Sequence, residues 1–162
     1  MMALRKFADK WCDPSSLPQV VIEDELNSIE KDFAIALPRD YRDQVLAVGL
    51  PSPTLALLSA IVDNEVDMND LSRLNAPAEI KQETLDWRDA GLPANLLVIG
   101  ADCSGNKFCF DLGDLTPASD QEAAVYLWDH DFLETRRIAP SFSAWMNGFF
   151  GAWSEAVTYA DF

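Results

Sequence analysis

The first third of the chain carries apolar residues at helical spacing. Ile22, Leu26, Ile29 and Phe33 recur at steps of four, three and four residues, with acidic residues between them. Such steps place side chains on one face of a helix. The pattern predicts a helix that follows Leu17-Pro18 and buries this face.

A second helix is predicted to start at Pro38. Proline is tolerated at the first helical position, because the N–H that it lacks would have no partner there. Tyr41, Val45 and Val48 then form an apolar stripe, and Gly49 supplies a stop. We expect this stripe to enter the same core as the first helix.

The middle of the chain has weaker patterns. Residues 55–62 are mostly apolar and compatible with a strand. Residues 63–70 carry four carboxylates without a basic residue among them, which is typical of a solvated loop or a helix start. Residues 77–90 open with proline, end before a glycine and place Ile80, Thr84 and Trp87 on one side, which predicts a helix.

A β-hairpin is predicted in the second half. Residues 96–99 are a short apolar run, and Phe108 and Phe110 alternate with other residue types in a second run. Residues 104–106, Ser-Gly-Asn, lie between the two runs and have the composition of a tight turn. The two runs should therefore pair as neighbouring strands.

A third strand and a closing helix complete the predicted fold. Over residues 124–128, alternation sends Val125 and Leu127 to one face and Tyr126 and Trp128 to the other. Ser141 can then cap a helix. The apolar stripe of that helix consists of Phe142, Trp145, Met146, Phe149 and Trp153. These elements predict an α+β fold, in which a mostly antiparallel β-sheet packs against N-terminal helices and a C-terminal helix.

The length of 162 residues suits one domain over residues 1–162. Residues 1–18 are predicted to be a loosely ordered N-terminal extension of that domain. Their positive charge is not followed by an apolar run, so we expect no signal peptide. The three cysteines lack a C-x-x-C spacing and argue against a disulfide framework, which favours a cytoplasmic location.

The net charge of −15 is the strongest compositional signal. Direct binding to nucleic acid or to an anionic membrane is disfavoured, because both require a basic face. Two explanations of the charge stay open. It can serve solubility alone, or it can attract a basic protein partner.

The only histidine, His130, lies between Asp129 and Asp131 in the segment YLWDHDF. This triplet could be a metal site, a catalytic acid-base pair or the end of a strand. A continuing strand would place both aspartates on one face and His130 on the other, so that they could not close on one ion, whereas a loop would leave the geometry free. The strand end is the interpretation that we adopt.

Other chemical signals are weak. Phosphate-loop, dinucleotide, zinc-protease and serine-hydrolase motifs do not occur in the sequence. Cys103 and Cys109 have only Lys107 as a nearby cation, which does not favour a reactive thiolate. We therefore predict no catalytic residue, no metal and no cofactor.

Three longer segments are together more specific than any single motif: IEDELNSIEKDFAIALPRDYRDQVLAVG, LLVIGADCSGNKFCFDL and AVYLWDHDFLETRRIAPSFSAWM. They resemble the SUKH superfamily, in particular its Smi/Knr-like branch, over about residues 20 to 150. The positions that match the family pattern are Glu30, Leu37, Pro38, Tyr41, Gly100, Gly105, Asp111, Trp128, His130, Ser141, Phe142 and Trp145.

The resemblance implies a SUKH-like fold and a binding role. Many bacterial members of the family resemble immunity proteins that neutralise polymorphic toxins, often nucleases, and fungal relatives are interaction hubs. The expected function is therefore a non-enzymatic immunity protein whose partner is a basic toxin domain. The alternative is a regulatory or scaffold protein of the Smi/Knr type. The resemblance also implies that His130 and Ser141 hold the junction between the last strand and the last helix.

Charge alone selects the candidate partner contacts, since carboxylates speed association with a cationic partner. They are Asp63, Glu65, Asp67, Asp70, Asp129 and Asp131. A third hypothesis, from another class, is a metal-dependent enzyme that uses Asp129, His130 and Asp131. The sequence does not set the oligomeric state.

Overall fold

The computed structural model describes residues 1–117 and 122–161. Its helices are α1 (Ala3–Trp11), α2 (Glu23–Phe33), α3 (Arg39–Val48), α4 (Ala56–Asp63), α5 (Pro77–Arg88) and α6 (Phe142–Asn147). Its strands are β1 (Arg73–Leu74), β2 (Leu96–Ala101), β3 (Lys107–Asp111), β4 (Val125–Asp129) and β5 (Glu134–Ala139). Short 3-10 helices cover Leu112–Asp114 and Ala152–Ser154. The predicted α+β fold is confirmed.

The sheet has the strand order β1-β2-β3-β4-β5, and every neighbouring pair is antiparallel. The predicted hairpin is confirmed as β2 and β3, in which Val98 lies opposite Cys109. Its turn contains Gly105 at φ +89°, a backbone conformation that favours glycine. The sheet is therefore a meander in which consecutive strands are neighbours.

The alternation predicted for the third strand is confirmed in β4. Val125 and Leu127 belong to the main hydrophobic cluster, which takes buried residues from each of α1 to α6. Trp128 points to the opposite face and joins a smaller cluster that includes Trp87 of α5. The main core thus lies between one face of the sheet and the helices.

The helix predicted after Leu17-Pro18 is α2, which buries a narrower face than expected. Leu26 and Ile29 are fully buried, but Ile22 is 54% exposed. Ile22 precedes the helix, and its N–H donates to Glu25 Oε1, which starts the helix after this residue. Ile22 is therefore the N-cap residue and lies outside the buried face of the helix.

The second predicted helix is α3. Tyr41, Val45 and Val48 are buried as expected, and Gly49 ends the helix at φ +87°. Pro38 is not the first helical residue, since its ψ of 137° is extended and the helix starts at Arg39.

In the described chain, none of the helices is long and apolar enough to cross a membrane.

Residues 55–62 contain most of a helix, α4, and not a strand. Ala56, Leu57, Ala60 and Ile61 are buried at helical spacing. A short apolar run cannot be assigned to strand or helix by periodicity alone, which explains the wrong prediction.

The N-terminal residues form a packed helix, so the prediction of a loosely ordered extension is wrong for residues 3–11. Leu4, Phe7 and Trp11 of α1 are fully buried. Trp11 Nε1 donates to the Phe149 carbonyl at 3.2 Å, and the Phe7 and Phe149 rings lie 5.3 Å apart. The spacing of three and four residues was a readable helical signal.

The closing helix is shorter than the predicted stripe. Ser141 caps α6, since its hydroxyl accepts from the Ala144 N–H at 3.0 Å. α6 ends at Asn147. Trp153 lies beyond it in a 3-10 helix and stacks on Trp11, with ring centroids 6.1 Å apart.

Strands β1 and β5 have no counterpart among the predicted strands. β1 has two residues, and the first four residues of β5, Glu134 to Arg137, are exposed. A strand at the edge of a sheet that buries few side chains lacks the apolar alternation on which prediction relies. The position of β5 is decided by its pairing with β4.

We expect Trp11→Ala to lower the free energy of unfolding by about 3–5 kcal/mol, because it removes a fully buried indole from the core. The measurement is urea unfolding followed by circular dichroism. The matched control is Leu17→Ala, whose side chain is 84% exposed and whose loss should change stability by less than about 0.5 kcal/mol. Equal effects of the two substitutions would contradict the packed position of α1.

Candidate functional site

A groove runs beside the edge strand β5, between β5, α6 and residues 67–69. It contains a cavity of about 210 Å³. The rings of Phe108 and Trp145, whose centroids lie 4.6 Å apart, line its base. The other lining residues are Asp67, Met68, Asn69, Arg136, Ile138, Ala139, Ala144 and Gly148. The groove therefore has an aromatic base and a polar rim.

Strand pairing explains this arrangement. Phe108 of β3 lies opposite Leu127 of β4, which in turn lies opposite Arg136 of β5. Cross-strand partners share a face, so Arg136 emerges on the side of the sheet that carries the main core. On the facing helix, Ala144 and Gly148 are small and leave the space that a larger side chain would fill.

A second cavity of about 150 Å³ continues the groove toward the β4–β5 turn. Arg136 separates the two cavities, since its Nη2 donates to Asn69 Oδ1 at 2.7 Å. Asp129 and Glu134, a cross-strand pair, line this second cavity. The groove thus extends along most of β5.

The outer wall of the groove is fixed by a buried carboxylate. Asp102 is 5% exposed, and its Oδ2 accepts from Asn69 Nδ2 at 2.8 Å. Its Oδ1 accepts from the N–H groups of Ser104 and Asn106 in the hairpin turn. One side chain therefore ties the wall to the turn between β2 and β3.

The structure brings two of the six candidate contacts into the groove. Asp67 lines the larger cavity, and Asp129 lines the smaller one. With Glu134 they give three carboxylates against the single guanidinium of Arg136 among the lining residues. The groove is therefore net acidic along β5.

Three further candidates are exposed but do not line either cavity. Asp63 lies at the end of α4 and accepts a hydrogen bond from the Ser59 hydroxyl. Glu65 follows it with φ +51°. Asp131 lies in the β4–β5 turn. Their role as partner contacts stays a prediction.

Asp70 differs from the other five, because it is only 7% exposed. Its Oδ1 accepts from the Cys103 N–H at 3.2 Å. Burial raises the pKa of Asp70 above its ordinary value, and the nearby Asp102 carboxylate adds to the rise. This buried carboxylate accepts a hydrogen bond from the backbone at Cys103 and cannot contact a partner directly.

β4 ends at Asp129, and His130 and Asp131 lie in the turn that follows. The triplet is therefore not a continuous strand, and its three side chains are not held on opposite faces. One ligand atom of each can lie within 4.8 Å of the others. Two of these groups already have protein partners. Asp129 Oδ1 accepts from the N–H groups of Asp131 and Phe132, and His130 Nδ1 lies 2.9 Å from Asn106 Oδ1.

The expectation that His130 and Ser141 hold one junction between the last strand and the last helix is wrong. β5 lies between them in the chain, so His130 contacts the hairpin turn at one end and Ser141 caps α6 at the other. The nearest ring atom of His130, Cε1, lies 3.4 Å from the position that a Cβ at Gly105 would occupy. These two residues therefore fix opposite ends of the edge strand.

The first group of family-pattern residues joins α2 to α3. Glu30 accepts from the Leu37 N–H at 2.8 Å and from Arg42 at 3.0 Å. The Tyr41 ring packs edge-on against Phe110 and Phe142. These contacts orient α3 against the sheet and against α6.

The remaining pattern residues shape the sheet. Gly100 lies at a register shift, and a Cβ there would come within 2.7 Å of the Arg73 carbonyl. Asp111 Oδ1 accepts from the Gly113 N–H at the end of β3. Trp128 is fully buried. The pattern thus coincides with turns, close approaches and core packing.

The thiols lie in environments that favour the protonated form. Burial raises the pKa of Cys12 to about 12 and also raises the pKa of Cys109. Partial burial and the Asp70 carboxylate raise the pKa of Cys103. These surroundings raise the pKa of all three thiols and therefore do not favour a reactive thiolate.

The antiparallel meander, its flanking helices and the groove along its edge strand define an α+β domain. The chain belongs to the SMI1 / KNR4 family (SUKH-1), whose family model matches residues 21–148. No curated protein sequence matches the chain. The match leaves α1 and the 3-10 helix Ala152–Ser154 outside its limits.

Most residues that line the groove carry no recognisable signal in the sequence. Arg136, Ile138 and Ala144 line it, but their neighbours carry no motif, and β5 was not predicted. Trp145 was predicted as a core residue and as a family-pattern position, but not as part of a groove. A usable signal was the pair Arg136-Arg137, two adjacent cations in an acidic chain.

We expect Asp70→Asn to raise the free energy of unfolding near neutral pH. The amide oxygen can still accept from Cys103, while the buried charge is removed. In wild type the folded carboxyl has the higher pKa, so it holds its proton more tightly than the unfolded one, and stability falls as pH rises through the folded value. The gain should therefore vanish in acid, below the ordinary value of 3.8.

Urea unfolding over a pH series measures this difference, with the exposed neighbour Asp67→Asn as the matched control. The control should follow the pH dependence of wild type. Parallel curves for wild type and Asp70→Asn would show that Asp70 carries no buried charge.

We expect dialysis against EDTA to leave the thermal unfolding midpoint unchanged, because Asp129 and His130 already have protein hydrogen-bond partners. Differential scanning fluorimetry before and after chelation, and after zinc is added back, gives the measurement. A fall on chelation that zinc reverses in wild type but not in His130→Gln would establish a metal site instead.

Proposed function

We propose that this chain is a non-enzymatic, cytoplasmic protein-binding module that acts as an immunity protein and neutralises a toxin domain with a basic surface. The observation that carries the proposal is the acidic groove beside β5, within a SUKH-family domain of net charge −15. The groove presents carboxylates beside a cavity, which suits a protein contact.

Charge supports this choice of partner. Complementary charge raises the association rate and suppresses partners of the wrong sign. An inhibitor needs only to cover the site of its target, so the proposal requires no reacting group in this chain. Carboxylates of the groove and of the exposed positions 63, 65 and 131 would face the cationic surface.

A regulatory or scaffold protein of the Smi/Knr type is the alternative function. It would use the same groove for a cellular protein and would inhibit no toxin. Affinity purification with the tagged protein from its native host, followed by mass spectrometry, identifies the partner. An inhibition assay on the recovered partner then separates the two functions.

We expect the double variant Asp67→Asn with Asp129→Asn to associate with this partner about tenfold more slowly at low salt. The matched control is Asp24→Asn with Asp89→Asn, which removes the same two charges from exposed positions outside the groove. Biolayer interferometry at low and moderate salt measures the association rates.

The groove variant should also lose part of the salt dependence of association, whereas the control should retain most of it. Equal rates for the two variants would remove the groove from the interface. Recovery of housekeeping regulators alone, without a toxin, would favour the scaffold function.

A further inference from the structure

The two edges of the sheet are closed to different degrees. On the outer side of β2, where the two-residue β1 pairs with only part of the strand, the N–H groups of Ser72 and Asn75 donate to the carbonyls of Ala101 and Ile99. Further along β2, the Val98 N–H donates to the Thr84 hydroxyl of α5 at 2.9 Å. The short β1 and the helix α5 therefore satisfy this edge.

The opposite edge, at β5, is open. β5 is the last strand in the sheet order and has six residues. Across residues 1–117 and 122–161, its main chain has no backbone hydrogen-bond partner outside the β4–β5 pair. An edge of this kind can accept an additional strand through main-chain hydrogen bonds.

A pocket for a side chain lies directly beside this edge. The cavity of about 210 Å³ is smaller than the roughly 300–1,000 Å³ of typical small-molecule sites. Arg136 and Ile138, two residues apart on β5, line it from the strand side, and Ala144 and Gly148 line it from α6. An added strand would project every second side chain toward this space.

Charge selects the incoming strand. Asp67 lies at the rim of the cavity, and the Asp129-Glu134 pair lies toward the other end of β5. Lysine or arginine side chains on either side of an apolar residue would complement these carboxylates. A second copy of this chain fits poorly, because each copy carries a net charge of −15.

We propose that β5 accepts an extended segment of a basic partner protein as a sixth strand. One apolar side chain of that segment occupies the cavity above Phe108 and Trp145, and flanking cationic side chains reach Asp67 and the Asp129-Glu134 pair. This inference rests on the proposed function and specifies how the partner is held.

The probe is the capped heptapeptide Thr-Lys-Thr-Leu-Thr-Lys-Thr, in which both lysines share the face of the leucine. Titration into isotope-labelled protein, followed by amide chemical shifts, should perturb β5, residues 67–69 and the start of α6. Ala144→Leu fills the cavity and should weaken binding about tenfold, as expected for a displaced apolar side chain. Ala78→Leu, on the exposed side of α5, is the matched control and should bind as wild type.

Two peptides methylated at alternate backbone nitrogens test the strand pairing itself. Edge pairing uses the N–H groups of every second residue, so methylation of one set should abolish binding and methylation of the other should preserve it. Equal effects of the two sets, shifts confined to other surfaces, or no shifts would overturn the inference. Shifts of β5 that depend on protein concentration without peptide would assign the edge to a second copy and overturn it too.

The failure of this inference differs from the failure of the proposed function. If the recovered partner binds wild type and Ala144→Leu equally well, the sixth-strand interaction is wrong while the binding function stands. If wild type retains no partner, the proposed function fails irrespective of the peptide result.

Discussion

A continuous series of aromatic contacts at α6 is the interaction on which the rest of the structure depends. Trp145 packs on Phe108 of the sheet, and Phe142 packs on Tyr41 of α3. Phe149, just beyond α6, contacts both Trp145 and Phe7 of α1, which extends the series to the N-terminal helix. These contacts join helices from both ends of the chain to the sheet. The same residues set the position of the groove, because Trp145 forms part of its base.

The groove arises where this packing stops. Ala144, just before Trp145, and Gly148, three residues after it, line the cavity and have little or no side chain to fill it. Close packing is the rule inside proteins, so a gap next to a tightly packed aromatic pair is a local departure from it. The gap lies beside a strand edge whose main chain is also free, and the two features together define one surface.

The carboxylates of this acidic chain have two separate tasks. Asp102 and Asp70 are buried and hold the hairpin turn and the wall of the groove through backbone and amide hydrogen bonds. Asp67, Asp129 and Glu134 lie at the groove and set its charge. Net charge alone could not separate these tasks, since burial and hydrogen bonding depend on neighbours that are distant in the sequence.

The sequence by itself determined the elements whose burial leaves a periodic pattern. The stripe of α3, the hairpin turn at Gly105, the alternation in β4 and the Ser141 cap are local patterns, and they also carried the family resemblance. Only the tertiary structure decided where β5 lies and that Asp67 and Asp129 share one groove, because an exposed edge strand has no apolar period of its own and acquires its place by pairing with β4. The helical α4 was likewise settled by the core that it enters, since a short apolar run takes its conformation from what it packs against.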